Sequence, residues 1–387
     1  ESKGWPMNRD LTRGPVMKTM LLFAVPMILG DLLQQCYNVA DTLIVGRFLG
    51  ADALAAVGSA FTLMTFLTSI LLGLSLGSGA VFSICFGQRD MGRLREGIRA
   101  SFALLAAVTA ILCALVYGFS EQILDFMRVT GTVRDLMREY LLVIFAGLPA
   151  IFLYNYYAAL LRSVGDSASP LIFLAVSAVM NIGLDLWFVV GLDRGVAGAA
   201  EATVISQYVS GVGIFLYTLK KFPALRVKGE RVRLRLARVK EIASFSALTC
   251  VQQSIMNLGI LLVQGLVNSF GTTVMAAFAA AVKIDSFAYM PAQEYANAFS
   301  TFLAQNAGAG RADRVKQGVR CAFITSLSYC AAASLALWIL AEPLMQIFVA
   351  PTETQIIWEG VRYLRIEGAF YCGIGLLFLL YGLYRAL

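Results

Sequence analysis

Ten times along its 387 residues the chain runs apolar for long enough to cross a lipid bilayer. The stretches fall at about 19–44, 54–85, 99–119, 140–162, 169–191, 196–219, 242–268, 274–305, 320–341 and 360–383. A hydrocarbon core roughly 30 Å thick needs about 20 apolar residues in a helix. Inside it, backbone N–H and C=O groups must be satisfied within the protein, which leaves helices or closed barrels. Runs of this length predict an all-α, polytopic membrane protein. The charged fraction agrees, at 14 % against about 25 % in soluble domains. The first run is too long for a signal-peptide core and lacks a small-residue cleavage site at its end, so it reads as a permanent span.

Placing the N-terminus in the cytoplasm puts 23 of the 31 Lys and Arg residues in the cytoplasmic segments. The opposite side holds five, Arg47, Arg128, Arg134, Arg138 and Arg194, which is the asymmetry of the positive-inside rule. Lys283, Arg362 and Arg365 lie within or near spans. The run "KKFPALRVKGERVRLRLARVK" (220–240) carries nine of the 23, alternating with apolar residues. That spacing is expected to lay the segment along an anionic leaflet, so the net charge of +7 does not point to nucleic acid.

Histidine is absent, which removes the commonest proton shuttle near neutral pH and the commonest metal ligand. The seven cysteines sit in or beside apolar runs without a CxxC spacing, so neither a disulfide framework nor a zinc site is indicated. No HExxH, GxSxG or paired-aspartate protease motif is present, which argues against an intramembrane enzyme.

An internal repeat is visible. "RLREGIRASF" (93–102) recurs as "RVKQGVRCAF" (314–323), an offset of 221 residues. Carried back without gaps to Gly50 and Gly271, it matches 10 of 53 positions. Duplicated halves are a common build of secondary transporters, with the site near the bilayer midplane. The expected division is 1–225 with spans one to six and 226–387 with spans seven to ten. By the same offset the second half should run to about residue 440. Two further spans are therefore expected beyond Leu387.

A charge at mid-bilayer costs from about 3 kcal/mol upward, and such residues usually face a cavity or a partner. In span one, Gln34, Tyr37, Asn38 and Asp41 are spaced i, i+3, i+4, i+7 and share one helix face. Pro26, upstream in the same span, removes a backbone hydrogen bond and favours a bend. Span five places Asn181 and Asp185 at i and i+4. Span six opens on "GVAGAAEATVISQ", whose small residues permit close helix approach and which brings Glu201 and Thr203. Two carboxylates, an amide and a hydroxyl form an all-oxygen set suited to a hard cation such as Na⁺. The same carboxylates in a dry pocket equally suit protons. Glu201, near the outer end of its span, is expected to be solvated. In the second half Lys283 and Asp285 are expected to neutralise each other, while Glu294 and Glu367, the latter beside Arg365, read as structural pairs or cavity-lining groups.

At these residues the chain resembles the multidrug and toxic compound extrusion (MATE) transporters. The resemblance rests on "FAVPMILGDLLQQCYNVADTLIVGRFLGADALAAVG" (23–58), "ALLRSVGDSASPL" (159–171), "NIGLDLWFV" (181–189) with "GVAGAAEATVISQ" (195–207), and "FSTFLAQNAGAGRADRVKQG" (299–318). It implies twelve helices in two pseudo-symmetric six-helix lobes, of which 6 + 4 spans are present here. It also implies a monomeric exporter of amphipathic organic cations in exchange for H⁺ or Na⁺, with no other cofactor. It is closest to the bacterial and archaeal branch with acids in the N-terminal lobe. That branch's cation or proton site falls on Asp41, Asn181, Asp185 and Thr203, its helix-bending proline on Pro26, and its drug cavity on Gln34, Tyr37 and Asn155. Other branches carry a Glu in span seven, where this chain has Gln252 and Gln253. The alternative within the same superfamily is a flippase for a lipid-linked saccharide. An anionic pyrophosphate would want basic residues in the cavity, whereas the mid-span charges are mainly acidic, with Lys283 the exception.

Overall fold

A computed structural model describes residues 10–127, 131–223, 236–268, 270 and 272–386. Every regular element among them is helical: α1 (Val16–Phe48), α2 (Ala51–Gly87), α3 (Met91–Gly118), α4 (Ser120–Phe126), α5 (Gly131–Ile144), α6 (Leu148–Ser163), α7 (Ala168–Asp185), α8 (Gly195–Lys221), α9 (Leu236–Asn268), α10 (Thr272–Gly308), α11 (Ala312–Phe348), α12 (Thr354–Ala369) and α13 (Tyr371–Ala386). All ten expected spans coincide with helix. Most helices overshoot the apolar run, because a helix continues into the headgroup region for as long as its backbone stays paired. Among the described residues seven helical stretches are long and apolar enough to cross a membrane, and the α12–α13 pair, bent by 51° around Phe370, makes an eighth. The fourth span joins α5 to α6 through a 3₁₀ turn at Phe145–Gly147, just ahead of Pro149. Pro26 lies inside an unbroken α1. Most of the basic run 220–240 falls outside the described residues.

The repeat reappears in the backbone. Helices α2 and α10 are both 37 residues long and begin at Ala51 and Thr272, which is the 221-residue offset. Helices α3 and α11 begin at Met91 and Ala312, the same offset again. The turns before them place Arg89 (φ 58°) and Gly310 (φ 68°) in the left-handed region at matching positions. Glycine takes this conformation at no steric cost, while an arginine there is uncommon.

The helices gather into two compact units, Leu33–Ser254 and Leu11–Leu32 with Ile255–Leu387. Relative to a division at 225/226, the start of α9 goes with the first unit and residues 11–32 go with the second. Small residues explain the first difference. A Cβ on Gly77 of α2 would stand 2.5 Å from the Ser246 Cα of α9, and one on Gly73 would stand 2.6 Å from that of Cys250. Such contact draws helices together where lipid supplies no hydrophobic drive. A buried arginine explains the second. Arg314 on α11 donates to the carbonyls of Leu11 (3.1 Å) and Gly14 (2.7 Å) and to Asn306 Oδ1 (3.0 Å). Its guanidinium also covers the Phe302 ring at 5.7 Å.

The core of the first unit centres on Tyr156 of α6, fully buried among Phe82, Phe102, Phe152 and Tyr157. Its hydroxyl donates to the Ile98 carbonyl at 2.7 Å, so this buried polar group is paired. The second unit packs α11, α12 and α13 around α10. Gly382 of α13 permits close approach there, since a Cβ would meet the Ala296 carbonyl oxygen at 2.7 Å.

Candidate functional site

The four residues singled out from spans one, five and six converge within the first unit. Asn181 and Asp185 are one turn apart on the buried face of α7, 2 % and 0 % exposed. Asp185 ends the regular helix. The chain continues as a π-turn over Leu186–Gly191, with Leu192 N–H reaching back five residues to the Trp187 carbonyl at 2.9 Å. Such widened turns cost helix hydrogen-bond geometry and recur at functional sites. Helix α8 brings Thr203, whose hydroxyl donates to the Ala199 carbonyl at 3.1 Å and accepts the Asn181 amide N–H at 3.3 Å. With its nitrogen committed to Thr203, the Asn181 amide has its oxygen left over.

Helix α1 supplies Asp41, half-buried, with its carboxyl within hydrogen-bonding reach of that of Asp185. Four oxygens here are buried with no hydrogen-bond partner: Asp41 Oδ1, Asn181 Oδ1, and both carboxylate oxygens of Asp185. Buried polar atoms are almost always paired, so a cluster of four unpaired acceptors is a strong anomaly. Two carboxylates in contact cannot both stay ionised without a positive species between them. Two acids this close, beside an amide oxygen, favour a proton or a small cation between them. Among the described residues no group of three Asp, Glu, Cys or His side chains converges. Two carboxylates with an amide oxygen fit one hard monovalent ion, or a proton shared between the acids.

Other expectations resolve individually. Tyr37 stands within electrostatic reach of both acids. Gln34 is exposed, and Asn155 turns its amide N–H onto its own helix, to the Ile151 carbonyl at 2.9 Å. Glu201 lies outside the cluster and pairs with Arg194 at 2.7 Å. Tyr140 of α5, buried and within electrostatic reach of Asp41, Asp185 and Tyr37, was not foreseen. Its only signal was a phenol on the otherwise apolar buried stripe Met137–Leu141–Ile144.

One expected pairing in the second unit is corrected. Asp285 does not neutralise Lys283: it accepts the Tyr371 hydroxyl, while Lys283 is exposed. Glu367, read as a structural pair or a cavity-lining group, is not partnered by its neighbour Arg365, which lies over Trp338. Residues two apart on a helix point away from each other. Glu294 accepts from Asn297 at 2.8 Å, and Gln253 is buried where other branches carry a Glu.

A family model for MatE matches residues 26–187 and 249–387. The chain belongs to the MatE family. The MATE assignment makes it a membrane transporter and not an enzyme. Among its relatives are two Bacillus subtilis proteins described as probable multidrug resistance proteins. YpnP is 29 % identical over 381 residues, covering 97 % of this chain and 84 % of the relative. YoeA is 30 % identical over 364 residues, covering 91 % and 77 %. A MOP-superfamily transporter from Pyrococcus furiosus shares the fold at a TM-score of 0.91 and 22 % identity, covering all of this chain and 85 % of that one.

Proposed function

We propose that this MATE protein is a secondary antiporter of the cell membrane that exports amphipathic organic cations in exchange for H⁺ or Na⁺. The observation that carries this is the cluster of unpaired oxygens on Asp41, Asn181 and Asp185. A nest of unpaired acceptors has two low-energy conditions: a small cation or proton fills it, or a cationic substrate nearby balances its charge. Mutual exclusion between the two is the differential affinity that exchange requires. Inward movement of one elementary charge releases about 2.3 kcal/mol per 100 mV, and a tenfold ion gradient adds about 1.4 kcal/mol.

In this reading Asp41 is the switch, because α1 is the helix that brings a carboxyl to a pair otherwise fixed on α7 and α8. Gln34, Tyr37 and Asn155 line the substrate path, Pro26 lets α1 bend, and the protein works as a monomer with its N-terminus in the cytoplasm. The multidrug resistance descriptions of YpnP and YoeA support the substrate class. The test is ethidium efflux from proteoliposomes with an imposed Na⁺ or H⁺ gradient. Gradient-driven efflux that Asp41→Asn abolishes is the expected result. Undiminished efflux by the variant at equal reconstitution removes Asp41 from the mechanism.

A further inference from the structure

The second unit carries two arginines that the coupling site does not use. Arg362 lies with its guanidinium 5.5 Å from the centre of the Trp358 ring. Arg365, one turn on, lies 5.1 Å from that of Trp338 and donates from Nε to the Trp338 carbonyl at 3.3 Å. Neither has a carboxylate within ion-pair distance among the described residues. The contrast with other arginines is sharp: Arg134, Arg138 and Arg194 are neutralised by Asp125, Glu121 and Glu201 at 2.6–2.7 Å.

Their depth follows from helix length. Helix α11 has 37 residues, about 55 Å at 1.5 Å per residue, against a hydrocarbon core of roughly 30 Å. Roughly eight residues project at each end by this measure. Trp338, ten residues before Phe348, sits where acyl chains give way to headgroups. Arg365 lies at that level on α12 through its contact with Trp338, and Arg362 is one turn nearer the helix start. Both indoles are more than half exposed, and Ile339, Ile366 and Phe370 extend the exposed apolar face. Tryptophan favours this interface.

We propose that Arg362 and Arg365, each backed by an indole, clamp the phosphate of an anionic phospholipid at this membrane interface. The indoles occupy the guanidinium faces and leave the N–H edges for an acceptor, the geometry in which arginine grips phosphate. Two unneutralised charges beside hydrocarbon call for an anion, and a lipid headgroup is the one that arrives with acyl chains to cover the apolar face. Among the described residues the feature belongs to the second unit alone. Aligned on Tyr140-Leu141 and Tyr363-Leu364, the counterparts in the first unit are Glu139 and Leu142, both exposed.

The test uses the intrinsic fluorescence of Trp338 and Trp358 in a Trp5→Phe/Trp187→Phe background, which removes the other two of the four tryptophans. The protein is titrated with brominated phosphatidylglycerol or brominated phosphatidylcholine in mixed micelles. Half-quenching should occur at a phosphatidylglycerol fraction on the order of tenfold lower. Arg362→Gln/Arg365→Gln should erase the difference, and the Lys pair should keep part of it. Native mass spectrometry of the wild-type protein, counting retained phosphatidylglycerol, reads the same preference without altering the tryptophans. Equal quenching by the two lipids overturns the proposal and leaves the pair as a non-selective belt. A preference that survives in the Gln pair overturns it too, as does a face that neither lipid quenches because protein covers it.

Discussion

Thr203 makes no contact with the carboxylates, yet removing its hydroxyl should weaken ion binding at the proposed coupling site. In Thr203→Val the Asn181 amide loses the acceptor that holds its nitrogen at 3.3 Å. Asn181 is 2 % exposed, so water does not substitute. The orphaned N–H then either stays unpaired, at about 1–3 kcal/mol, or rotates toward Asp185 and puts a donor where an acceptor stood. Either outcome opposes a bound cation by roughly 1.4 kcal/mol or more, about tenfold in affinity. Thr203→Ser keeps the hydroxyl and should bind as wild type. The assay is equilibrium ²²Na⁺ binding to purified protein, paired with half-activation of ethidium efflux by Na⁺ and by pH. A valine variant with wild-type affinity for both ions, in a protein that still melts cooperatively, would show that the Asn181 orientation does not matter.

Further predictions concern the frame that carries the site. Gly77→Ala should lower the melting temperature, since its Cβ would stand 2.5 Å from a backbone atom of α9 and overpacking costs about 1–3 kcal/mol. Gly58→Ala, with nothing within 4 Å, is the neutral control. Arg314→Ala should free residues 11–14 to rapid hydrogen exchange, and Arg314→Lys should only partly restore protection, because an ammonium lacks the fork that spans several carbonyls. Tyr156→Phe should cost about 1–2 kcal/mol by thermal melting, the worth of a buried hydroxyl paired to the Ile98 carbonyl.

Much of the fold was legible because lipid imposes a blunt rule: about 20 apolar residues per crossing. The repeat was legible for a related reason, since duplicated halves keep turn positions even where only 10 of 53 residues survive. The candidate cluster was legible from helical periodicity, which put Asp41 and Asp185 each on a polar stripe. Periodicity does not report what faces those stripes, so Tyr140 went unseen until α5 was placed against them. Nor does adjacency in sequence report pairing. Lys283 and Asp285 look like a salt bridge on paper, but a helix turns them about 200° apart. The π-turn after Asp185 had no cue of its own in the sequence. The affiliation of residues 11–32 depended on Arg314, some 300 positions away, whose three carbonyl acceptors carry no side-chain signature at all.

The claim at the centre is that one buried nest of oxygens serves either the coupling ion or the charge of the substrate, never both. Fluorescence polarisation of ethidium bound to the purified protein tests it directly, with Na⁺ raised at constant ionic strength and, separately, with pH lowered. The account requires one of these titrations to release ethidium from the wild-type protein and to leave binding unchanged in Asp41→Asn and Asp185→Asn. Ethidium binding indifferent to both titrations in the wild type, or falling identically in the variants, would contradict it.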